Sequence, residues 1–400
     1  MRIVGQSPAA ERRRVWVAAG ATYGVAAFAP ALDAGRAPSD PSLSVVPFCV
    51  VFALAFVPWG RWTDRHGVAP AMRAASALLL LAGVVLVLPL GDAGWIAGRA
   101  LEGLAAAGVP PAAQAALAAL GGAGRTGRAI GGMSVAVAVG TLLVPLLAGA
   151  FEPILGTDAV LALGALGLPV IALVAVTPLL RSRRLPTGGA ARARRLPVTS
   201  GLWAAWACAF LVLIAYWTIV TRIAPLLGPD GAGLSEDGAR AIPLLGGVAG
   251  MLLTGVVAGV ADRIGPRRPM VAVLATGVTG LLIGALTGTP GGAALGIGLF
   301  ALAYWCYLTL VGLQVVLAVP QAVRGHALGG LYAAMWSGAA VGGALAALVD
   351  AWTTVLVLSA LAWACAAIVA ARWFAGPRGV AGAPPHPAAV STGDVPVVAR

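Results

Sequence analysis

Few side chains in this sequence can do chemistry, and most of those lie in or beside long apolar runs. Arg99 and Glu102 stand three residues apart inside one such run. On a helix that spacing puts both on one face, within reach of each other. An arginine near the centre of a bilayer costs about 2.5–3.5 kcal/mol on insertion scales, so it faces protein. One reading is a structural ion pair that neutralises itself. The other makes Glu102 a proton carrier, because desolvation opposes its charge while the guanidinium favours it. Asp33 is the second candidate proton site. Asp64-Arg65 and Asp262-Arg263 each follow an apolar run, with Gly67 and Gly265 two residues on. No His is mid-run, and no Ser/His/Asp or metal-ligand cluster appears. No Walker-type Lys exists either, since all 26 basic residues are Arg. Cys49, Cys208, Cys306 and Cys365 fall one per run and read as packing residues. No catalytic residue, metal or cofactor is expected.

These residues are carried by an extreme composition. The chain has 400 residues, 60% hydrophobic and only 10% charged, with a mean hydropathy of +0.94. A soluble domain would be near a quarter charged, so a soluble enzyme and a disordered chain are both excluded. The net charge of +12 is not a nucleic-acid footprint, because the arginines are scattered between apolar runs. A bilayer core of ~30 Å needs about 20 apolar residues per helix. That length gives twelve spans: 15–34, 42–62, 70–91, 94–119, 129–150, 159–180, 201–226, 239–261, 269–288, 291–319, 327–349 and 352–374. Arg12-Arg13-Arg14 before the first span imitates a signal peptide, but the spans that follow favour an uncleaved helix. A barrel is excluded, since its alternating pattern is absent.

The arginines orient the chain. With the amino terminus cytoplasmic, 22 of 26 lie on the cytoplasmic side or in the tails, as the positive-inside rule requires. Arg36 and Arg240 are the outer-loop exceptions, and Arg99 and Arg222 fall within spans. Both termini are therefore expected in the cytoplasm. Trp16, Trp59, Trp62, Trp95, Trp203, Trp352 and Trp373 sit near span ends, as an interfacial belt would. The expected organisation is an arm 1–14, a six-helix half 15–180, an Arg-rich linker 181–200, a second half 201–375 and a disordered tail 376–400.

The two halves are repeats. Asp64, Arg65 and Gly67 map onto Asp262, Arg263 and Gly265 at an offset of 198. Gly127, Gly131, Gly132 and Gly140 map onto Gly325, Gly329, Gly330 and Gly338 at the same offset. Six spans return the chain to its starting side, so the repeats are parallel, an arrangement found in transporters with a central site.

Gly60-x-x-x-Asp64-Arg65-x-Gly67 resembles motif A of the major facilitator superfamily, and the likeness covers essentially all twelve spans. Arg99-Ala100-Leu101-Glu102-Gly103 resembles its motif B. Gly140, Pro145 and Gly149 resemble motif C of drug and solute:proton antiporters, with Val144 and Ala148 where glycines are usual. The resemblance implies an all-α polytopic fold of two parallel six-helix repeats and alternating access, with no enzyme activity. It places Asp64 against the start of helix 11 (Gly325-His326-Ala327). By symmetry Asp262 should face Gly127-Arg128-Ala129, and an anion at a helix amino end is favoured by the macrodipole. The bland reading of both is a polar loop residue ending a span.

The resemblance also implies a central cavity to which helices 1, 7, 10 and 11 contribute. Tyr23, Tyr216, Trp217, Tyr304, Trp305, Tyr307, Tyr332 and Trp336 are its candidate lining, suited to an apolar or amphipathic substrate; lipid-facing or packing roles are the alternative. Asp33 and Arg222, near the outer ends of helices 1 and 7, either pair as an outer gate or stand as separate interfacial charges. Four-residue glycine spacings (Gly246/Gly250, Gly255/Gly259, Gly280/Gly284, Gly338/Gly342) read as close helix packing. The expected function is a proton-coupled exporter of small organic molecules, monomeric, in a bacterial inner membrane. Its partners are substrate, protons and the lipid bilayer. The alternatives are a proton-coupled importer of a sugar or organic acid, and a membrane sensor or membrane enzyme.

Overall fold

The structure, a computed structural model, describes residues 7–31, 42–122, 124–188, 196–223, 227–229, 232–349 and 351–374. Asp33, Arg36, the core of the linker and the tail 376–400 lie outside the described residues. Among those described, the long elements are twelve helices: α1 (Pro8–Ala31), α2 (Ser42–His66), α3 (Val68–Val87), α4 (Gly91–Gly121), α5 (Thr126–Leu155), α6 (Thr157–Arg181), α7 (Ser200–Val220), α8 (Glu236–Ile264), α9 (Arg267–Leu286), α10 (Pro290–Ala318), α11 (Gln321–Leu348) and α12 (Trp352–Trp373). Eleven, α2 to α12, hold stretches long and apolar enough to cross a membrane. The remaining helix, α1, opens on Glu11-Arg12-Arg13-Arg14 and packs along α5. We call the side that carries the α2–α3 and α8–α9 turns and residues 181–188 the linker face.

Most of the helices end within a few residues of the expected spans. One difference matters. The seventh span was expected to reach 226, but α7 stops at Val220. Pro225 has no N–H to return to the Thr221 carbonyl, and Arg222 already bonds back only three residues, to Ile219 at 3.0 Å. Arg222 therefore lies in a turn beyond the helix end, not within a span.

The packing repeats with the sequence. α1 lies along α5 and α6 as α7 lies along α11 and α12; α2 meets α4 as α8 meets α10; α3 meets α6 as α9 meets α12. The halves join chiefly through α2 against α11 and α5 against α8. Contact is close because the backbone is bare where helices cross. A Cβ on Gly140 would lie 2.0 Å from the Gly20 carbonyl oxygen of α1. On its repeat mate Gly338 a Cβ would lie 2.3 Å from the Phe210 oxygen of α7. The expected close packing also holds at Gly246 and Gly250, each set against α10 backbone. Gly149, grouped with Gly140 by the motif C likeness, has nothing within 4 Å of its Cβ position.

Two indoles lock these crossings. Trp16 Nε1 donates to the Ala129 carbonyl at 2.9 Å, and Trp206 Nε1 donates to the Ala327 carbonyl at 3.1 Å. Their rings cover Gly132 and Gly330. Trp16 is thus a packing residue. Trp59 and Trp352 likewise donate to backbone, and Trp95 is buried. Among the expected belt residues, Trp203 and Trp373 are the exposed ones.

Overpacking a filled site costs about 1–3 kcal/mol. Gly140→Val and Gly338→Val should therefore lower the melting temperature of the detergent-purified protein, while Gly149→Ala leaves it unchanged or raises it. Equal melting temperatures for all three variants would contradict the close-contact assignment.

Candidate functional site

The two halves are joined on the linker face by a pair of matching contacts. α11 begins in earnest at Arg324, with Val323 as its cap, and no cap side chain bonds its first N–H groups. Asp64, at the end of α2, supplies the missing acceptors. Its carboxylate takes the Gly325 N–H at 2.8 Å and the His326 N–H at 2.8 Å. Asp262, at the end of α8, does the same for α5, taking the Gly127 N–H at 2.7 Å and the Arg128 N–H at 3.0 Å. Each carboxylate satisfies two orphan donors and meets the positive end of a helix dipole. Hydrogen bonds to a charged group contribute about 1.5–3 kcal/mol each.

The glycines follow from this geometry. A Cβ on Gly60 would lie 2.3 Å from the Gly325 oxygen. One on Gly127 would lie 2.6 Å from the Ala258 oxygen. Gly67 (φ 95°) and Gly265 (φ 82°) turn the chain in a region that favours glycine. Arg65 and Arg263 are exposed and make no ion pair among the described residues. Arg61 Nε donates to His326 Nε2 at 3.3 Å, a contact on the first clamp alone among the described residues.

Further from the linker face, a polar layer spans the halves. Gln114 Nε2 of α4 donates to the Tyr332 hydroxyl of α11 at 2.8 Å. The hydroxyls of Ser134 (α5) and Thr309 (α10) lie 2.6 Å apart. Neither pair was singled out from the sequence. Beyond them the halves meet through aromatic rings. Phe48 stacks on Phe52 at 5.0 Å, Phe52 meets Trp336 edge-on at 4.8 Å, and Trp336 lies 5.9 Å from Trp217. Trp217 adjoins Tyr216, which stacks on Tyr304 at 3.6 Å. Tyr332 stacks on Phe56 of α2. The structure thus brings Tyr216, Trp217, Tyr304 and Trp336 into one chain of contacts, with Phe48, Phe52 and Phe56 added at four-residue spacing on α2. Tyr23 is half-buried on α1.

One of the expected cavity aromatics is elsewhere. Tyr307 is fully buried and faces Trp363 of α12 at 6.3 Å, inside the second half. It is a core residue there. Trp305 meets Tyr304 edge-on at 5.8 Å, at the end of the chain of rings, with its indole nitrogen against Gly247 of α8. Tyr307 is turned about 60° from Tyr304 around α10 and Trp305 about 100°, so the three rings meet different partners.

Arg99 and Glu102 are bonded to each other, at 1% and 0% exposure. Arg99 also lies 4.7 Å over the Phe48 ring, which places the pair against α2 and at the start of the aromatic chain. α4 begins at Gly91, earlier than expected, so Glu102 lies ~17 Å along it. The pair is enclosed, not partly solvated. Glu102 Oε1 has no hydrogen-bond partner.

Just past the pair α4 breaks at Ala107–Gly108. Pro110 and Pro111 cannot donate backward. The Gly108 N–H turns to Ala105, and the freed Leu104 carbonyl accepts from Trp59 Nε1 at 2.7 Å. The break separates the segment holding Glu102 from the segment holding Gln114. As for the outer gate, Arg222 Nε donates to the Ala346 carbonyl of α11 at 2.6 Å, and Asp33 lies outside the described residues. Pro145 sits within α5. The described residues hold no metal-ligand cluster.

Removing one partner of a buried ion pair costs about 3–5 kcal/mol, whereas replacing both with apolar groups is near neutral. Arg99→Leu should therefore sharply lower the melting temperature, and Arg99→Leu with Glu102→Leu should recover most of it. A double variant as unstable as the single would mean that the two charges are not each other's shield.

The profile of the Major Facilitator Superfamily matches residues 15–336. No curated protein matches significantly. Among solved structures, the human organic anion transporter MFSD10 (TETRAN) superposes with a TM-score of 0.73 at 16% identity, over 91% of this chain and 100% of that one. A bacterial homologue of the iron transporter ferroportin, in an outward-facing state, gives 0.74 at 17% identity, over 92% and 99%. The proton:xylose symporter XylE, bound to 6-bromo-6-deoxy-D-glucose, gives 0.74 at 14% identity, over 93% and 97%. At these identities the structures share the fold. The family is one of transporters, which sets aside the membrane-enzyme alternative. This multi-pass membrane chain belongs to the major facilitator superfamily, as a secondary transporter.

Proposed function

We propose that the chain is a proton-coupled exporter of small apolar or amphipathic organic molecules, working as a monomer in a bacterial inner membrane. The halves 15–180 and 201–375 are its moving units and 181–200 the connection between them. The arginine distribution makes the linker face, with both termini, cytoplasmic. The observation that carries the reading is the pair of carboxylate clamps, Asp64 on α11 and Asp262 on α5. They close the cytoplasmic side and hold the transporter facing outward.

Opening toward the cytoplasm breaks both clamps, the Gln114–Tyr332 bond and the Ser134–Thr309 contact. Substrate then meets the aromatic chain, whose rings offer apolar area and few charges. Glu102 supplies the coupling. Its Oε1 is the unbonded, buried atom that takes the proton, and protonation releases Arg99, which bears on Phe48. The ring contacts from Phe48 to Trp336 give that change a physical route to the second half, and the break in α4 lets the Glu102 and Gln114 segments move separately.

Losing the charge and one acceptor from a clamp should cost about 1.5–3 kcal/mol, a tenfold or larger change in the equilibrium. Asp64→Asn and Asp262→Asn should each raise the cytoplasm-open population about that much. Spin-label distances between the α2–α3 and α10–α11 turns report it. Unchanged distances in both would reduce these residues to ordinary helix ends. In inverted vesicles, addition of substrate should release protons, and Glu102→Gln should abolish that release while leaving substrate binding intact. Proton uptake together with substrate would instead indicate the importer. Concentration of substrate by Glu102→Gln would move the proton site elsewhere.

A further inference from the structure

A cavity of about 290 Å³ lies beside the first clamp on the linker face. Its walls come from three parts of the chain. Thr63, Val68 and Ala115 belong to the first half, Pro186 to the linker, and Ala322 and Arg324 to the start of α11. The linker is seated firmly there. The Val68 N–H donates to the Pro186 carbonyl at 3.3 Å, and a Cβ on Gly188 would lie 2.3 Å from the Arg65 oxygen.

The charges around the cavity are unequal in what they still lack. Asp64 borders it, but both its oxygens accept N–H groups from α11. Among the described residues Arg324 gives only its Nε to protein, to the Val316 carbonyl at 3.2 Å. It has no ion pair among the described residues. A guanidinium has five N–H donors in a planar fork suited to a carboxylate. The same cavity is lined by Val68, Ala115, Pro186 and Ala322, which offer apolar area. The volume is near the lower limit, about 300 Å³, of small-molecule pockets.

We propose that this cavity is an effector site for a small amphiphilic organic anion, a carboxylate on a compact apolar body. Arg324 takes the carboxylate, and the Val68–Ala115 side takes the body. Because both halves build the walls, the site is whole only while the linker face is closed. A ligand that binds the closed state alone shifts the population toward it, and the coupling is reciprocal. The anion is thus a brake applied from the cytoplasm. Its effect on conformation rests on the alternating-access reading above, whereas binding itself does not.

Benzoate is a suitable probe and benzamide its uncharged counterpart, with binding measured by calorimetry on the full-length protein in detergent. Benzoate should bind at millimolar concentration or below, and benzamide at least tenfold more weakly. Arg324→Gln should weaken benzoate at least tenfold. Ala115→Phe, which keeps the arginine and fills the cavity, should abolish binding. If Arg324→Gln does not fold, Arg324→Lys replaces it, with weakened binding expected from loss of the fork. Absence of benzoate binding, equal binding of benzamide, or undiminished binding to both cavity variants would overturn the site. Asp262→Asn opens the linker face without touching the cavity, so saturating benzoate should return its spin-label distances toward those of the closed form. Binding without that return would keep the site and refute the brake.

Discussion

The first N–H groups of a helix have no acceptor within it, and a membrane-embedded helix cannot leave them to water along most of its length. In this chain the amino ends of α5 and α11 meet that constraint with carboxylates from the opposite half. Asp64 and Asp262 are therefore helix caps and interdomain bonds at once. Bare backbone at Gly60, Gly127 and Gly325 lets them approach, and the positive-φ turns at Gly67 and Gly265 bring α3 and α9 back beside them. The two clamps that join the halves on this face are built on four peptide hydrogens.

Within each half a different bond does the fixing. Trp16 and Trp206 reach from the first helix of each half to a carbonyl near the start of the fifth, and their rings fill the space over Gly132 and Gly330. With Gly140 against α1 and Gly338 against α7, these crossings leave little room for sliding. Interiors packed at this density respond by rigid displacement, not gradual deformation. The interface between the halves is softer by comparison, made of rings and single hydroxyl contacts above the clamps. Motion is thereby directed to the interface.

Much of this was legible in the sequence, because membrane helices are read by length and apolarity alone. The spans and the 198-residue offset follow from residue types, the partner of Asp64 from the resemblance to the superfamily's motif A, and that of Asp262 from carrying it across the repeat. The indole bonds were hidden because Trp16 and Trp206 are separated by 190 residues, not 198, so they fall out of register with the clamps. Phe48, Phe52 and Phe56 carried a visible four-residue stripe, yet an apolar stripe on an apolar span has no contrast. Gln114 and Ser134 gave no signal, since a single polar residue in a run does not announce its partner across the molecule. Tyr307 was grouped with Tyr304 because the two share α10, yet the turn of about 60° between them is enough to aim the second ring at Trp363, inside the second half.

The clamps have donors that belong to the main chain. Side-chain locks can be lost by mutation on either side, but here one side is a peptide N–H that nearly every residue supplies. Substitution at 326 or 128 leaves the donor in place, and only proline removes it. At 325 and 127 the limit is steric: the neighbouring helix admits no Cβ. Half of each lock is thus indifferent to which amino acid carries it. Drift in these short stretches can then alter the chemistry displayed at the membrane surface while the seam between the halves stays closed by the same four bonds.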